Sequence, residues 1–191
     1  MSRSASYEVE GMADTTGPSD GRFGYMKISP RLATVVFFFI VPFPVTIVIP
    51  GFMTGWQFNT PFLDVPTTRW IGAVMVLFGL LLLCESIIRF AKVGRGTPSP
   101  LMPTATLVVT GAYRCVRNPM YLGATSVIIG QAYLFGRTTV LLYGAMIALA
   151  FHGFVLLYEE PTLRKRYGAE YARYCQHVPR WIPRVIPWHP T

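Results

Sequence analysis

The residues best suited to chemistry lie between positions 111 and 123, where a polar loop runs directly into an apolar segment. Arg117, Asn118 and Tyr121 open that segment, and Pro119 suits a first helical turn because its missing amide hydrogen is no loss there. A helix N-terminus has free backbone amides and favours an anion such as a carboxylate. We expect Asn118 to cap this helix through its side-chain oxygen. The stretch is therefore either a binding site for a charged ligand or a plain helix cap beside an arginine that reaches toward lipid headgroups.

Two adjacent carboxylates, Glu159 and Glu160, end the last apolar run of the chain. A carboxylate at the edge of hydrocarbon is costly unless it is paired or hydrogen-bonded, and near a helix C-terminus it also opposes the helix dipole. We expect one of the two to face Arg117, or the hydroxyl or ammonium groups of a cofactor. The alternative is a pair of acids in the headgroup layer that bond Arg164 or Arg166.

Other polar residues in the apolar runs have simpler structural interpretations. Glu85 and Arg89 lie one helical turn apart and can form an ion pair on one helix face. His152, alone in an apolar run, is more often an interhelical hydrogen-bonding residue than a base. The three cysteines have no CxxC spacing, so the sequence predicts neither a disulfide framework nor a metal site. It also contains no HExxH motif, P-loop, glycine-rich dinucleotide fingerprint or Ser-His-Asp set.

The elements that must position these residues are predicted to be membrane helices. Of the 191 residues, 52% are hydrophobic and only 14% are charged, with a mean hydropathy of +0.41. That is too apolar for an ordinary soluble domain. The net charge of +8 does not indicate nucleic acid, because the basic residues lie in the loops between apolar runs and form no aromatic-interleaved face. Anionic lipid headgroups are the expected partner of this charge.

Four apolar runs predict an all-α membrane protein with about four transmembrane helices. They cover about residues 32–53, 70–91, 120–135 and 139–158, each close to the ~20 residues that a helix needs to cross a bilayer. Prolines in the first run remove backbone donors and should kink it. The third run is short and needs flanking residues that reach the headgroups.

The basic residues predict the orientation of these helices. Fifteen of the seventeen Lys and Arg residues lie before the first run, between or bordering the second and third, or after the fourth; only Arg69 and Arg137 fall on the other side. The positive-inside rule then places both termini in the cytoplasm and favours an even number of spans. The protein is predicted to be a multi-pass integral membrane protein.

Two polar regions flank the predicted spans. Residues 1–28 are polar and are predicted to form a disordered tail, which leaves residues 29–191 as one transmembrane domain. After the fourth run, residues 162–177 predict a cytoplasmic amphipathic helix with one apolar stripe at Leu163, Tyr167, Tyr171 and Tyr174. The Trp181 that follows suits an anchor at headgroup level.

The half of the chain from about residue 94 to 183 resembles the isoprenylcysteine carboxyl methyltransferase and phospholipid methyltransferase superfamily of integral membrane enzymes. The matching elements occur in the superfamily's order. They are Gly-Thr-Pro-x-Pro at 96–100, Gly-x-Tyr-Arg-x-x-Arg-Asn-Pro-x-Tyr-x-Gly at 111–123, Glu-Glu at 159–160, Tyr-Gly followed by Tyr-x-x-Tyr between 167 and 174, and Val-Pro at 178–179.

The resemblance implies an enzyme that transfers a methyl group from S-adenosylmethionine to a lipid or lipidated small molecule from the bilayer. It implies that the cofactor is bound by Tyr113, Arg117, Asn118, Pro119, Tyr121, Glu159 and Glu160. The catalytic residues that it implies are Arg117, Glu160 and His177; His177 corresponds to a basic residue near the substrate of the prenylcysteine enzymes. Asn118 replaces the motif's histidine, so this position can donate a hydrogen bond but cannot titrate.

The acceptor that the resemblance implies is a prenylcysteine-like carboxylate or a phospholipid amine. A carboxylate needs no base, whereas a headgroup ammonium must first lose a proton; Glu160, Tyr121 and His177 are candidate proton acceptors. Two other functions are compatible with the same architecture. One is a nicotinamide-dependent reductase related to sterol reductases, which are chains with many more spans. The other is a non-enzymatic four-span lipid-binding protein. None of the three requires a metal or a nucleic acid.

Overall fold

The computed structural model describes residues 39–93 and 107–189. The predicted tail at 1–28, the beginning of the first apolar run and the Gly-Thr-Pro-x-Pro motif at 96–100 lie outside the described residues. Within the described ranges all regular structure is helical, and no strand occurs there.

Five α-helices make up most of the described structure. They are α1 (Ile49–Thr54), α2 (Thr67–Val93), α3 (Pro119–Phe135), α4 (Thr138–Phe154) and α5 (Glu160–His177). Short 3-10 helices cover Phe62–Asp64 and Gly111–Arg114, and π-helical turns cover Pro44–Val48 and Val155–Glu159. Two helices are long and apolar enough to cross a membrane, one over Thr67–Arg89 and one that runs from Thr138 to His177.

Helices α2 and α3 pack antiparallel at very short range through paired glycines. Gly72 lies against Gly130, and Gly79 lies against Gly123. A Cβ atom on Gly79 would lie 2.5 Å from the carbonyl oxygen of Gly123, so no larger residue fits without separating the helices. Small residues allow this approach in membranes, where helices associate by close packing and not by the exclusion of water.

The proline-rich first run contains the distortion that its prolines predict, in the form of the π-helical turn at Pro44–Val48. The amide of Ile49 donates to the Pro44 carbonyl oxygen, and Pro50 has no amide hydrogen to donate. The carbonyl oxygens of Val45 and Thr46 accept instead from other helices: Tyr143 Oη donates to the first at 3.0 Å and Gln131 Nε2 to the second at 2.7 Å. These bonds satisfy backbone groups that would otherwise be unpaired in an apolar environment.

Helices α4 and α5 form one continuous helix, and this corrects the expectation that the chain breaks between residues 158 and 162. Pro161 lies in the first turn of α5, and the π-helical turn before it lets the Glu160 amide donate to Val155. Because the helix continues past both residues as far as the kink at Gly168, Glu159 and Glu160 do not lie at a helix C-terminus. The argument that these acids oppose a helix dipole is therefore wrong.

The polar helix α5 packs against the rest of the protein through its tyrosines. Tyr171, Tyr174 and Val178 form a buried cluster, and Leu163 and Tyr167 pack against it. Gly168 has φ +51 and ψ −120, which interrupts the regular helix at that residue. Residues 178–189, called here the C-terminal segment, then run back over the 3-10 helix and the start of α3.

Candidate active site

The carboxylate of Glu160 lies between two guanidinium groups. Arg117 Nη1 donates to Glu160 Oε1 at 3.0 Å, and their side chains are only 11% and 7% exposed. Arg180 donates twice, from Nε to Oε1 at 2.6 Å and from Nη2 to Oε2 at 3.0 Å. Two cations and one carboxylate give this group, called here the Glu160 cluster, a net charge of +1. The structure thus brings together Arg117 and Glu160, 43 residues apart in the chain.

The second acid, Glu159, has a different partner. Tyr121 Oη donates to Glu159 Oε2 at 2.9 Å, and the Tyr121 ring lies 4.8 Å from that of Phe151. The hydrogen-bond partners of the two acids are therefore Tyr121 and the arginines of the Glu160 cluster, rather than Arg164 or Arg166. The adjacent carboxylates face two distinct environments, one aromatic and one cationic.

Asn118 occupies the N-cap position of α3, but its side chain does not cap the helix. The amide nitrogen Nδ2 donates to the Arg180 carbonyl oxygen at 3.2 Å instead. The prediction of a side-chain cap is wrong because the amide faces the C-terminal segment. Pro119 is buried as the first residue of α3, as its missing amide hydrogen predicts.

Arg117 makes further contacts that fix its guanidinium group in place. Nη1 also donates to Cys175 Sγ at 3.0 Å, and the backbone amide donates to the Pro179 carbonyl oxygen at 2.9 Å. The Nε hydrogen of Arg117 is buried and has no acceptor among the described residues. A buried guanidinium with an unused donor can accept an additional anionic group.

Tyr113 lies in the 3-10 helix, which hydrogen-bonds to Glu85 of α2. Glu85 Oε1 accepts from Arg89 Nε at 2.7 Å, which confirms the predicted ion pair, and also from the amide of Ala112 at 3.3 Å. Gly111 has φ +58, and a Cβ there would strike the Glu85 carboxylate. Tyr113 is only 8% exposed, and burial raises the pKa of its phenol far above the ordinary value. The phenol is therefore neutral at physiological pH.

The C-terminal segment is fixed over the 3-10 helix and the start of α3 by backbone hydrogen bonds. The amide of Arg184 donates to Cys115 at 3.0 Å, and the amide of Trp188 donates to Arg114 at 3.0 Å. Arg114 Nε returns a bond to the Trp188 carbonyl oxygen at 2.7 Å. These bonds place Arg180 beside Glu160. The hydrogen bond to the carboxylate raises the pKa of Arg180 above its usual range.

Among the described residues, sequence reasoning missed two side chains that bond Arg117 or Glu160, namely those of Cys175 and Arg180. The cysteines have no spacing that predicts a site, and Arg180 is one of the fifteen basic residues on the predicted cytoplasmic side. A weak signal for Arg180 exists, because it directly follows the Val178-Pro179 element.

His177 and His152, which the sequence analysis considered, both lie outside the Glu160 cluster. His177 is exposed; its Nδ1 lies 2.8 Å from the Arg173 carbonyl oxygen and its ring stacks on Trp188 with centroids 5.0 Å apart. His152 Nδ1 accepts from Trp181 Nε1 at 3.0 Å. The structure therefore joins Arg117 with Glu160 but gives His177 different neighbours.

A cavity of about 360 Å³ lies beside the site, between α5 and the C-terminal segment. It is lined by Leu107, Val109, Thr110, Glu170, Arg173, Tyr174 and Trp188. Tyr174 connects this cavity to the site, because its hydroxyl donates to the Tyr113 carbonyl oxygen at 2.6 Å. Within the two described ranges, no group of three or more His, Cys, Asp and Glu side chains could hold a metal ion.

Comparison with known families identifies the chain. A sequence model of the phospholipid methyltransferase family matches residues 67–170, which is more than half of the protein and includes α2, α3, α4 and both glutamates of the site. A comparison with curated proteins gives no match. The chain therefore belongs to the phospholipid methyltransferase family and is a membrane methyltransferase that acts on lipid.

Proposed function

We propose that this protein transfers a methyl group from S-adenosylmethionine to the amine of a phospholipid headgroup. The observation that carries the proposal is the Glu160 cluster, in which a nearly buried carboxylate and two arginines meet where an apolar helix pair ends. A family named for phospholipid methylation favours the amine over a prenylcysteine-like carboxylate as the acceptor.

The residues present fit an amino-acid cofactor that carries both charges. Arg117 has a buried Nε donor without an acceptor among the described residues, which suits a carboxylate. Glu160 suits an ammonium or hydroxyl group, provided that Arg180 yields one of its two bonds. Asn118, Pro119, Tyr121 and Tyr113 surround these groups from α3 and the 3-10 helix and complete the proposed binding residues. Glu159 contributes to the proposed site indirectly, through the hydrogen bond that it accepts from Tyr121.

In this role the protein mainly binds, orients and excludes water. When bound, S-adenosylmethionine supplies a methyl carbon that the adjacent sulfonium makes electrophilic. Displacement at such a carbon is in line, so the rate depends on how well the acceptor is aligned and on the removal of water. Arg117 lies two residues before α3 and Glu160 is the first residue of α5, and the C-terminal segment bonds both, through the Pro179 carbonyl oxygen and the Arg180 side chain.

An amine acceptor must lose its proton before it attacks, and we assign the acceptance of that proton to Glu159. Glu160 accepts three hydrogen bonds from two guanidinium groups, and these cations oppose the addition of a proton. Glu159 accepts from the neutral donor Tyr121. A Glu159→Gln variant should lose at least tenfold in kcat, which is a larger effect than its effect on donor binding. Equal loss from Glu160→Gln without any effect on binding would contradict this assignment.

The proposed topology keeps the four spans predicted from the sequence within one domain of residues 29–191, with both termini cytoplasmic. Helix α2 and the helix that begins at Thr138 are long and apolar enough to cross. The antiparallel α3 contacts α2 through its paired glycines, and the proline-rich first run bonds α3 and α4. The interfacial position of α5 rests on its polar outer face and buried tyrosines.

Isothermal titration calorimetry on the full-length protein in lipid nanodiscs tests the donor. S-adenosylmethionine and its demethylated product should both bind, and Arg117→Ala should weaken binding at least tenfold. Binding of a reduced nicotinamide nucleotide in their place would support the reductase alternative. Binding of neither, with the helical content intact, would support the non-enzymatic alternative.

The acceptor is tested by incubating the loaded protein with defined lipids and measuring mass shifts of one methyl group. A shift on phosphatidylethanolamine is expected, whereas a shift only on a prenylcysteine carboxylate would overturn the amine assignment. His177→Ala should leave donor binding unchanged, because His177 lies outside the Glu160 cluster. Its predicted role next to the substrate is tested by the KM for the acceptor.

A further inference from the structure

The C-terminal segment exposes large apolar side chains right next to the apolar helix α4. Ile182, Val185 and Ile186 are 79%, 97% and 72% exposed. Trp181, directly before them, donates from Nε1 to His152 Nδ1 at 3.0 Å, and the two ring centroids are 5.8 Å apart. One short stretch thus contacts α4 and presents three branched apolar residues outward.

The position of His152 fixes the depth of this stretch relative to α4. His152 lies six residues before Tyr158, the last residue of the predicted fourth span. At 1.5 Å of rise per residue, Trp181 contacts the helix about 9 Å inward from the end of that span. On the same helix Leu149 and Leu157 are 72% and 84% exposed. Helix α4 and the C-terminal segment that contacts it therefore both present exposed apolar side chains.

The polar residues of the stretch point to protein acceptors rather than outward. Arg180 bonds Glu160, and Arg184 Nη1 donates to the His177 carbonyl oxygen at 2.6 Å. Pro183 and Pro187 lack amide hydrogens and exclude a regular helix. Irregular backbone is not tolerated in the hydrocarbon core, but it is tolerated at the interface, where water and headgroups can bond it. The stretch therefore suits the boundary of the bilayer and not its centre.

We propose that residues 181–187 form a membrane-contacting element that lies at the boundary between phospholipid headgroups and acyl chains. Trp181 contacts His152 just below the headgroups, within the depth of about 5 to 10 Å that interfacial elements reach into the bilayer. Ile182, Val185 and Ile186 contact the acyl chains. The proposal rests on α4 lying in the bilayer and is independent of the methyl donor. The proposal also places the lipid surface next to Arg180. Contact with the bilayer would then help to keep the C-terminal segment bound to the Glu160 cluster.

The test uses the full-length protein with a solvatochromic amino acid placed genetically at position 185, so that the three native cysteines are retained. The matched control has the same fluorophore at Gln176, an exposed polar position on α5. Each protein is reconstituted as one copy per nanodisc of phosphatidylcholine and phosphatidylglycerol. At 185 we expect blue-shifted emission, strong quenching by a lipid with a spin label near the headgroup, and at least threefold weaker iodide quenching than at 176.

Equal iodide quenching at 185 and 176 would overturn the proposal. A blue shift at 185 without quenching by the spin-labelled lipid would also overturn it, because another protein surface would then cover the stretch. A second variant examines the contact with His152. Trp181→Ala should increase iodide quenching at 185 at least twofold, whereas Trp181→Phe should change it less. Circular dichroism shows whether each variant retains its helices, and quenching is compared only among variants that do.

Discussion

Arginines at the two ends of the helix bundle have different kinds of hydrogen-bond partner. At one end Arg69 Nη2 donates to the Asn59 carbonyl oxygen at 2.5 Å, and its guanidinium lies 5.4 Å from the centre of the Phe58 ring. At the other end Arg117 and Arg180 share the carboxylate of Glu160. Arg69 is partly exposed, so water still solvates its charge, whereas a buried carboxylate with two cations has a large desolvation penalty. An arrangement of the second kind is expected where function requires charge.

The comparison also shows which signals are uninformative. Arg69 Nε is buried without an acceptor among the described residues, as is Arg117 Nε. An unused donor therefore does not by itself indicate a ligand site. The carboxylates distinguish the two ends, since the end at Asn59 bonds its arginine to a backbone oxygen and the Glu160 cluster bonds its arginines to an acid.

Of the substitutions considered, Glu160→Gln should cause the largest loss of stability and of donor binding. The change leaves two guanidinium groups without their countercharge in a mostly buried site, and we expect a loss of about 3 kcal/mol in the free energy of unfolding. Thermal and chemical denaturation in detergent measure the loss, and calorimetry should show S-adenosylmethionine binding weakened more than tenfold. A loss no greater than that of Arg69→Gln would remove the distinction between the two ends.

A smaller effect should follow Arg180→Ala. Arg180 is 31% exposed, so solvent screens its ion pair and we expect a loss of about 1 to 2 kcal/mol in unfolding free energy. Arg180→Lys retains the charge but not the two-point geometry, and should lose about half as much. An unfolding free energy of the lysine variant equal to that of the unmodified protein would show that the two-point geometry of Arg180 does not matter.

Glu85→Gln examines a carboxylate near the site that we expect to be structural. It should weaken the bonds to Arg89 and to the Ala112 amide and lower the unfolding free energy by about 1 kcal/mol. Donor binding should change less than threefold. Loss of binding comparable to that of Glu160→Gln would extend the functional region to α2.

The smallest effect should follow Arg69→Gln at the opposite end. The bond that is lost joins a partly exposed arginine to a neutral carbonyl oxygen, so the unfolding free energy should fall by less than about 1 kcal/mol. The dissociation constant of S-adenosylmethionine should be the same as in the unmodified protein. A changed constant would mean that the two ends of the bundle are coupled.

Local patterns in the sequence predicted much of the helical structure. The apolar runs anticipated α2, α3 and α4, and one-turn spacing identified the pair Glu85 and Arg89. The link between Arg117 and Glu160 depended on family resemblance and on charge, because nothing in local spacing relates residues 43 positions apart.

The rest depended on contacts that no local pattern carries. Arg180 reaches Glu160 because backbone bonds to Arg114, Cys115 and Arg117 guide the C-terminal segment. Asn118 has the residue type and position of a helix cap, yet a distant carbonyl oxygen competes for its amide. The apolar pattern predicts a helix end at Glu159 and Glu160, but the helix continues through Pro161 because a π-helical turn can absorb the missing hydrogen bond.

The unbroken passage from α4 into α5 has a mechanical consequence. No hinge separates the apolar helix from Glu159 and Glu160, so the acids move as one rod with the part of the helix that lipid surrounds. Their height above the midplane follows the tilt of that rod, which in turn follows the length of the surrounding acyl chains. Turnover should therefore pass through a maximum as the host lipids are lengthened, even when the headgroup that receives the methyl is kept the same.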